Sequence, residues 1–236
     1  MAADATDADR LQAADGAGTA TVVRVIQVPG RMTPNRELGA ARSELLAASA
    51  GFARVECDFG ASKGKFLTES ARANPGIFFA GIEGLSDRVR KANGKIRRLG
   101  LGNALLWRGW GGESLDELVP DAFLDTLHVS FPDPWPKRRH WFRRLVNAGF
   151  LELASRKLRS GGTLRLQTDH AGYFAAMTAH LASHGGWSEV PWEDGPVRPV
   201  TEFETIFRAK GDPVHRIAVT RFRGAGHDTA HAGESA

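Results

Sequence analysis

Ala53-Arg54-Val55-Glu56-Cys57-Asp58-Phe59-Gly60-Ala61-Ser62-Lys63-Gly64 decides the fold. Positions 53–58 read as a short buried strand, and the Gly/Ser cluster after them as a tight turn. A helix follows over about 64–73. The turn has the form D-x-G-x-S-x-G, and small residues there let a backbone approach a ligand closely. Helix amides beyond it are expected to offer hydrogen-bond donors. A second strand, 77–83, ends on Glu83, an acid placed to accept both hydroxyls of a ribose. A glycine turn with an acid at the end of the next strand is a nucleoside-binding arrangement. Gly60-Ala61-Ser62-Lys63-Gly64 also matches G-x-S-x-G, the nucleophile elbow of serine hydrolases, with His215 available as the base. That alternative lacks a glycine-rich oxyanion loop before the serine.

The alternation continues outward from this unit. Ser86 caps a helix reaching about Leu99, and Gly100 and Gly102 break it. Strands are expected over 103–107, 123–131, 163–168 and 214–222. Helices are expected near 114–118, over 143–158 with closure by Ser160-Gly161-Gly162, and over 171–183. No element is assigned to 34–52. Repeated strand–helix alternation implies an α/β fold with a parallel sheet covered on both faces. Ligands in such folds bind at the carboxyl ends of strands. The candidate sites are therefore 58–64, Glu83, the loop around Trp110, Asp133 and Asp169. Positions 1–20 and 224–236 are small, polar and aperiodic, and read as tails flanking one domain over 21–223.

The bulk properties bound the partners. The 236 residues carry 42% hydrophobic and 25% charged side chains, an ordinary globular balance. No apolar run approaches the ~18–20 residues that span a bilayer, and the start lacks the pattern of a signal peptide. A single cysteine, Cys57, forms no internal disulfide, and the scattered histidines lack metal-ligand spacing, so a cytoplasmic, metal-free protein is expected. The formal charge of +4 suits an anionic partner. Lys137, Arg138, Arg139, His140, Arg143 and Arg144 fall in one run, followed by Arg156, Lys157 and Arg159. Together they read as a phosphate-facing edge.

That run begins directly after Phe131-Pro132-Asp133-Pro134-Trp135-Pro136. Prolines on both sides of Asp133 favour an extended backbone and remove two amide donors. The carboxylate is thereby held past the strand end, with Trp135 beside it as a stacking surface. Thr168-Asp169 ends the next strand with another acid, which would serve equally as a helix N-cap.

These segments resemble the bacterial tRNA (guanine-N7)-methyltransferases over about 31–222. The resemblance rests on Gly30-Arg31-Met32-Thr33, on Phe66-Leu67 with Ala73-Asn74-Pro75, and on Gly81-Ile82-Glu83. It rests above all on Phe131-Pro132-Asp133-Pro134-Trp135 with Lys137-Arg138-Arg139-His140, on Asp169, and on Arg198-Pro199-Val200-Thr201-Glu202-Phe203-Glu204. The resemblance implies a Rossmann-like class I methyltransferase fold with a mostly parallel seven-stranded sheet. It implies S-adenosyl-L-methionine as cofactor, held by Asp58, Gly60, Ser62, Gly64, Glu83, Trp110 and Asp133, with Asp133 also at the chemistry. Lys137, Asp169, Thr201, Glu202, Phe203 and Glu204 would contact the substrate guanine and its strand. Three positions depart from the family: Ser62 replaces its middle glycine, Trp110 stands where it has an aspartate, and the lead-in 25–29 lacks arginines.

The activity implied is methyl transfer to guanine N7 in tRNA. Asp133 and Asp169 would accept hydrogen bonds from the guanine N1–H and amino group, and Lys137 with the arginines would hold flanking phosphates. Alternatives are a related enzyme acting on a small nitrogen heterocycle and a non-catalytic RNA-binding protein. Either a monomer or a homodimer is compatible with the sequence.

Overall fold

The computed structural model of the chain describes residues 36–193, 196 and 198–221. The two tails, the Gly30-Arg31-Met32-Thr33 element and the lead-in before it lie outside these. Seven strands form one sheet in the order β3-β2-β1-β4-β5-β7-β6. They are β1 (Arg54–Phe59), β2 (Ile77–Glu83), β3 (Ala104–Arg108), β4 (Leu124–Ser130), β5 (Leu158–Thr168), β6 (Trp187–Val190) and β7 (His215–Arg221). β1 pairs parallel with β2 and β4, β2 with β3, and β4 with β5. β7 pairs antiparallel with both β5 and β6. The order reverses between β1 and β4, the switch point at which open α/β sheets bind ligands.

The helices are α1 (Arg36–Ser49), α2 (Lys65–Ala73), α3 (Ser86–Arg98), α4 (Gly111–Leu118), α5 (Ala148–Lys157), α6 (Ala171–His184) and α7 (Glu202–Lys210). Two apolar layers result. Leu45, Cys57, Phe78, Leu127, Leu151, Leu164, Tyr173 and Met177 pack on one side, and Leu67, Phe79, Val89, Ile96 and Leu106 on the other. The second layer stops short of β4, β5 and β7. There Glu56, His128, Arg165, Gln167 and Thr220 are buried polar residues.

The expected strands stand at their places within a residue or so, apart from the start of β5. The expected helix over 143–158 does not form at that length. Residues Arg138–Arg143 make a 3-10 turn, and α5 begins at Ala148 behind the N-cap Asn147, whose side chain accepts from the Phe150 amide. Nor does Ser160-Gly161-Gly162 close that helix, because β5 runs from Leu158 straight through it, with a shift of register against β4 between Leu124 and Thr126. Gly161 takes φ 75°, and a Cβ on Gly162 would lie 2.9 Å from the Arg159 carbonyl and 3.0 Å from that of Leu124. The two glycines serve a strand irregularity, not a helix end.

Candidate active site

The turn after β1 is closed upon itself. The Gly60 and Ala61 amides both donate to the Ile82 carbonyl (2.8 and 3.0 Å), and Gly64 donates to Ala61. The Ser62 amide donates to Glu83 Oε2 at 2.8 Å, and the Leu85 amide to Oε1 at 2.9 Å. The turn's own amides are therefore spent inside the loop, which leaves the first amides of α2, from Lys65 on, as the donors that the expectation concerned. What the loop presents outward is the open space over Gly60, where a Cβ would meet nothing within 4 Å. Gly64 is needed twice: its φ is 68°, and a Cβ there would stand 2.8 Å from Ala92 Cβ of α3. Ser62 adopts φ 51°, so a side chain occupies a backbone region that suits the family's glycine better. No hydrogen bond joins Ser62 to a histidine among the described residues, which leaves the nucleophile-elbow reading without a base.

Asp58 and Glu83 end adjacent strands and are both buried. Burial, and then the charge of Glu83, push the Asp58 carboxyl up to about 7. Each oxygen of Glu83 accepts one amide and keeps capacity for a further donor. Beyond β3, Trp110 lies with its indole against Gly84, so closely that a Cβ on Gly84 would fall 2.5 Å from the ring. It stays 57% exposed, which leaves an indole surface open beside Glu83.

Across the switch point, Ser130 of β4 is in register with Gln167 of β5, and the Phe131 amide donates to the Gln167 carbonyl at 2.8 Å. Asp133 and Asp169, a few residues past these partners, therefore leave the same edge of the sheet from neighbouring strands. Asp169 is not the N-cap of α6, because His170 takes that place and accepts from the Tyr173 amide through Nδ1 at 3.1 Å. The Pro-Asp-Pro segment is not simply extended. Phe131 (φ 52°) and Trp135 (φ 42°) are both left-handed, so the chain bends sharply on each side of Asp133. Trp135 is partly covered by Arg143 (4.9 Å to the ring) and His140.

The basic run divides. Lys137, Arg138, Arg139 and Arg143 are exposed, beside Trp141 and Phe142. Arg144 is buried: its Nε donates to the Pro134 carbonyl at 2.8 Å, and its guanidinium sits 4.6 Å from Trp141 and 4.8 Å from Tyr173. Arg144 thus holds the aspartate-bearing loop and does not face phosphate. Lys157 and Arg156 pair with Asp116 and Asp121, and Arg159 with Asp125. These three also leave the phosphate-facing edge.

Helix α7 lies over the turn after β1. Thr201 caps it by accepting from the Glu204 amide at 3.0 Å. Glu202 pairs with Lys63 at 3.1 Å, and Lys65 donates to Thr205 at 3.3 Å. Phe203 stacks on Phe207 and stands near Phe131. A narrow pocket results, lined by Asp58, Gly60, Ser62, Phe66, Ser130 and the Thr201-Glu202-Phe203 stretch. Glu204 turns the other way and is held by Arg208 (2.6 Å) and Arg216.

Among residues that the sequence reading passed over, Glu56 accepts from His128 (2.8 Å) and Arg198 (2.8 Å) beneath α7. Burial opposes ionisation of Glu56, but these two partners prevail and hold it at about 2. His128 is itself lowered by burial and stays neutral, donating through Nε2. Polar residues at alternate positions of buried strands were the available signal for this layer.

The family described as "Putative methyltransferase" matches residues 53–217. A tRNA (guanine-N(7)-)-methyltransferase of Nitrosococcus oceani is 31% identical over 86% of this chain and 90% of its own. The chain belongs to the tRNA (guanine-N7)-methyltransferase family. The enzyme of that name from Thermus thermophilus is 44% identical, over 50% of this chain and 38% of its own length. That of Chromohalobacter salexigens is 36% identical, over 67% of this chain and 65% of its own. Among solved structures, the aminoglycoside resistance methyltransferase NpmB1 superposes with a TM-score of 0.56 at 19% identity, covering 76% of this chain and 93% of that one. The antibiotic-resistance methyltransferase Kmr gives 0.53 at 20% identity, over 86% and 99%. Both establish the fold of this methyltransferase.

Proposed function

We propose that this methyltransferase uses S-adenosyl-L-methionine to methylate N7 of a guanine in tRNA. The observation that carries the proposal is the exit of Asp133 and Asp169 from neighbouring strands at one sheet edge, next to the pocket lined by Asp58, Gly60 and Ser130, whose loop Glu83 holds through the Ser62 amide.

The residues present fit the cofactor. A desolvated Asp58 suits the cofactor's ammonium, and Glu83 keeps capacity for ribose hydroxyls. Gly60 leaves space for close approach, and the open surface of Trp110 offers an apolar partner for adenine, without an acceptor for its amino group. When bound, the cofactor supplies an electrophilic methyl group on a sulfonium.

Guanine N7 carries a free lone pair, so the protein needs no strong base. Its task is alignment and charge. Asp133 and Asp169 accept from the N1–H and amino group, a donor pattern that adenine lacks. Their negative charge favours the cation that develops on the purine. Lys137, Arg138, Arg139 and Arg143 hold phosphates of the strand, with Trp141 and Phe142 as exposed stacking surfaces. Thr201 and Glu202 shape the pocket wall, Phe203 offers a ring to the base, and Glu204 braces α7 through Arg208 and Arg216. Such an enzyme works where unmodified tRNA is found, in the cytoplasm.

The test is incubation with tritiated cofactor and unmodified bulk tRNA, then nuclease digestion. Label in 7-methylguanosine is expected. Label only in small molecules would move the acceptor to a nitrogen heterocycle. Asp133→Ala should abolish turnover while leaving S-adenosylhomocysteine affinity largely intact, and turnover at the parent rate would remove Asp133 from the site.

A further inference from the structure

A second cavity, of about 170 Å³, opens beneath α7 on the polar part of the sheet. Its lining includes Ser130, Arg165, Gln167, Trp192, Glu204 and Arg216. It shares Phe66 and Ser130 with the pocket of Asp58 and Gly60, so the two are neighbours along one wall. No role assigned above requires it.

The floor is unusual for the centre of a sheet. Arg165 and Gln167 are each 4% exposed. Burying such groups is costly unless they are paired. Neighbouring charges are matched: Glu56 takes His128 and Arg198, and Glu204 takes Arg208 and Arg216. Arg165 is not. It donates to the Trp192 carbonyl at 2.5 Å and stacks 4.0 Å from that indole, but meets no carboxylate within 4 Å among the described residues. Its Nε has no hydrogen-bond partner there. Burial and the charges of Arg198 and Arg216 lower its pKa to about 10, against the longer-range pull of Glu56 and of Glu193, which also lines the cavity. Gln167 Nε2 donates to Ser130 Oγ at 2.9 Å, which leaves the serine hydroxyl proton free to donate into the cavity. Gln167 Oε1 is buried without a donor.

We infer that this cavity is an oxyanion subsite for the acceptor, in which Arg165 and Ser130 bind a phosphate group and Gln167 accepts a hydroxyl of the attached sugar. The chemistry is that of a ribose phosphate next to the methylated base. It rests on the nucleotide reading of the main site, and it has two sources: a free nucleotide, or a residue of an RNA strand.

Inorganic phosphate tests the subsite without any methyl transfer. At fixed ionic strength, phosphate in place of chloride should raise the melting temperature of the full chain. Arg165→Met should lose that increment while S-adenosylhomocysteine affinity is unchanged. Equal increments in both proteins, or none in the parent, would overturn the inference. Should Arg165→Met fail to fold, Ser130→Ala, which removes one exchangeable donor, must shrink the increment, and an unchanged one refutes the subsite. Guanosine, guanosine 5′-monophosphate and a short guanine-containing RNA then separate the sources. A preference for the monophosphate over guanosine that falls about tenfold or more in Arg165→Met indicates a free nucleotide. A comparable loss confined to the RNA indicates the strand, and no loss with either acceptor refutes the subsite's role. If S-adenosylhomocysteine does not bind at all, the methyl-transfer reading fails while the phosphate experiment still decides the cavity.

Discussion

Arg144→Met isolates the brace behind Asp133. The substitution keeps an unbranched apolar stem and removes the guanidinium, which donates to the Pro134 carbonyl at 2.8 Å and lies over Trp141 and Tyr173. A charge-assisted hydrogen bond contributes about 1.5–3 kcal/mol and each of the two cation–π contacts about 0.5–1 kcal/mol, so a loss of roughly 2.5–5 kcal/mol is expected. For a chain of this size that corresponds to a melting temperature lower by roughly 5–20 °C. The larger effect should be kinetic. The left-handed Phe131 and Trp135 leave the Pro-Asp-Pro segment in a backbone shape that its surroundings must hold. A carboxylate displaced by about 1 Å costs on the order of a hundredfold in rate. Differential scanning fluorimetry, kcat on tRNA and calorimetry with S-adenosylhomocysteine separate these terms. The expected pattern is a lower Tm, a much lower kcat and an unchanged cofactor-product affinity. An unchanged Tm together with a raised KM for tRNA and a weaker salt dependence would refute the reasoning, because that is how a phosphate contact behaves.

Four further outcomes follow at three residues on the cofactor side. Asp58 is raised to about 7, so its ionised form is lost as pH falls through 7, and S-adenosylhomocysteine affinity should drop by about tenfold per pH unit between 7 and 5. Asp58→Asn should be pH-independent over that range. The same raised value means that the folded state holds a proton the unfolded chain has already released, so stability falls as pH rises from about 4 to 7. Asp58→Asn should therefore raise the melting temperature at pH 8 and leave it nearly unchanged at pH 3, the reverse of what a stabilising ion pair would show. Gly64→Ala forces a Cβ to within 2.8 Å of Ala92 at φ 68°, and a loss of about 1–3 kcal/mol should appear in urea denaturation. Trp110→Ala should weaken S-adenosylhomocysteine binding about tenfold and abolish most of the ligand-induced quenching of indole fluorescence.

What was legible in the sequence was whatever local chemistry determines. Six of the seven strands announced themselves as short apolar runs, most of them ended by glycine or proline, whereas β6 with its four half-exposed residues did not, and the turn at 58–64 and the acid at 83 lie together because β1 and β2 are consecutive and adjacent. The neighbouring exits of Asp133 and Asp169 followed from strand order. Helix α1 went unassigned although Ala41, Leu45 and Ala48 share one face and Thr33-Pro34-Asn35 stands before it in the sequence as a start signal. The 143–158 helix was read too long because Arg143 and Arg144 are good helix formers locally, whereas Arg144 is committed to Pro134 and Tyr173 across the loop. The cations at 156, 157 and 159 looked like an anion-binding edge until the fold brought Asp116, Asp121 and Asp125 to them. Pairings between distant positions, such as Glu56 with Arg198, leave no trace in local periodicity.

The strand order also governs how the chain must be guarded before it is finished. β1 meets β2 early, but its other side waits for β4, and any extended segment that arrives first finds a row of open backbone groups. Glu56 and Asp58 sit on that waiting strand, and charged side chains there deter intruding strands. The finished margins, β3 with five residues and β6 with four, are too short to template much growth. The acids of β1 are of the kind that discourages strand pairing at an open edge, besides their place beside the pockets of the completed enzyme.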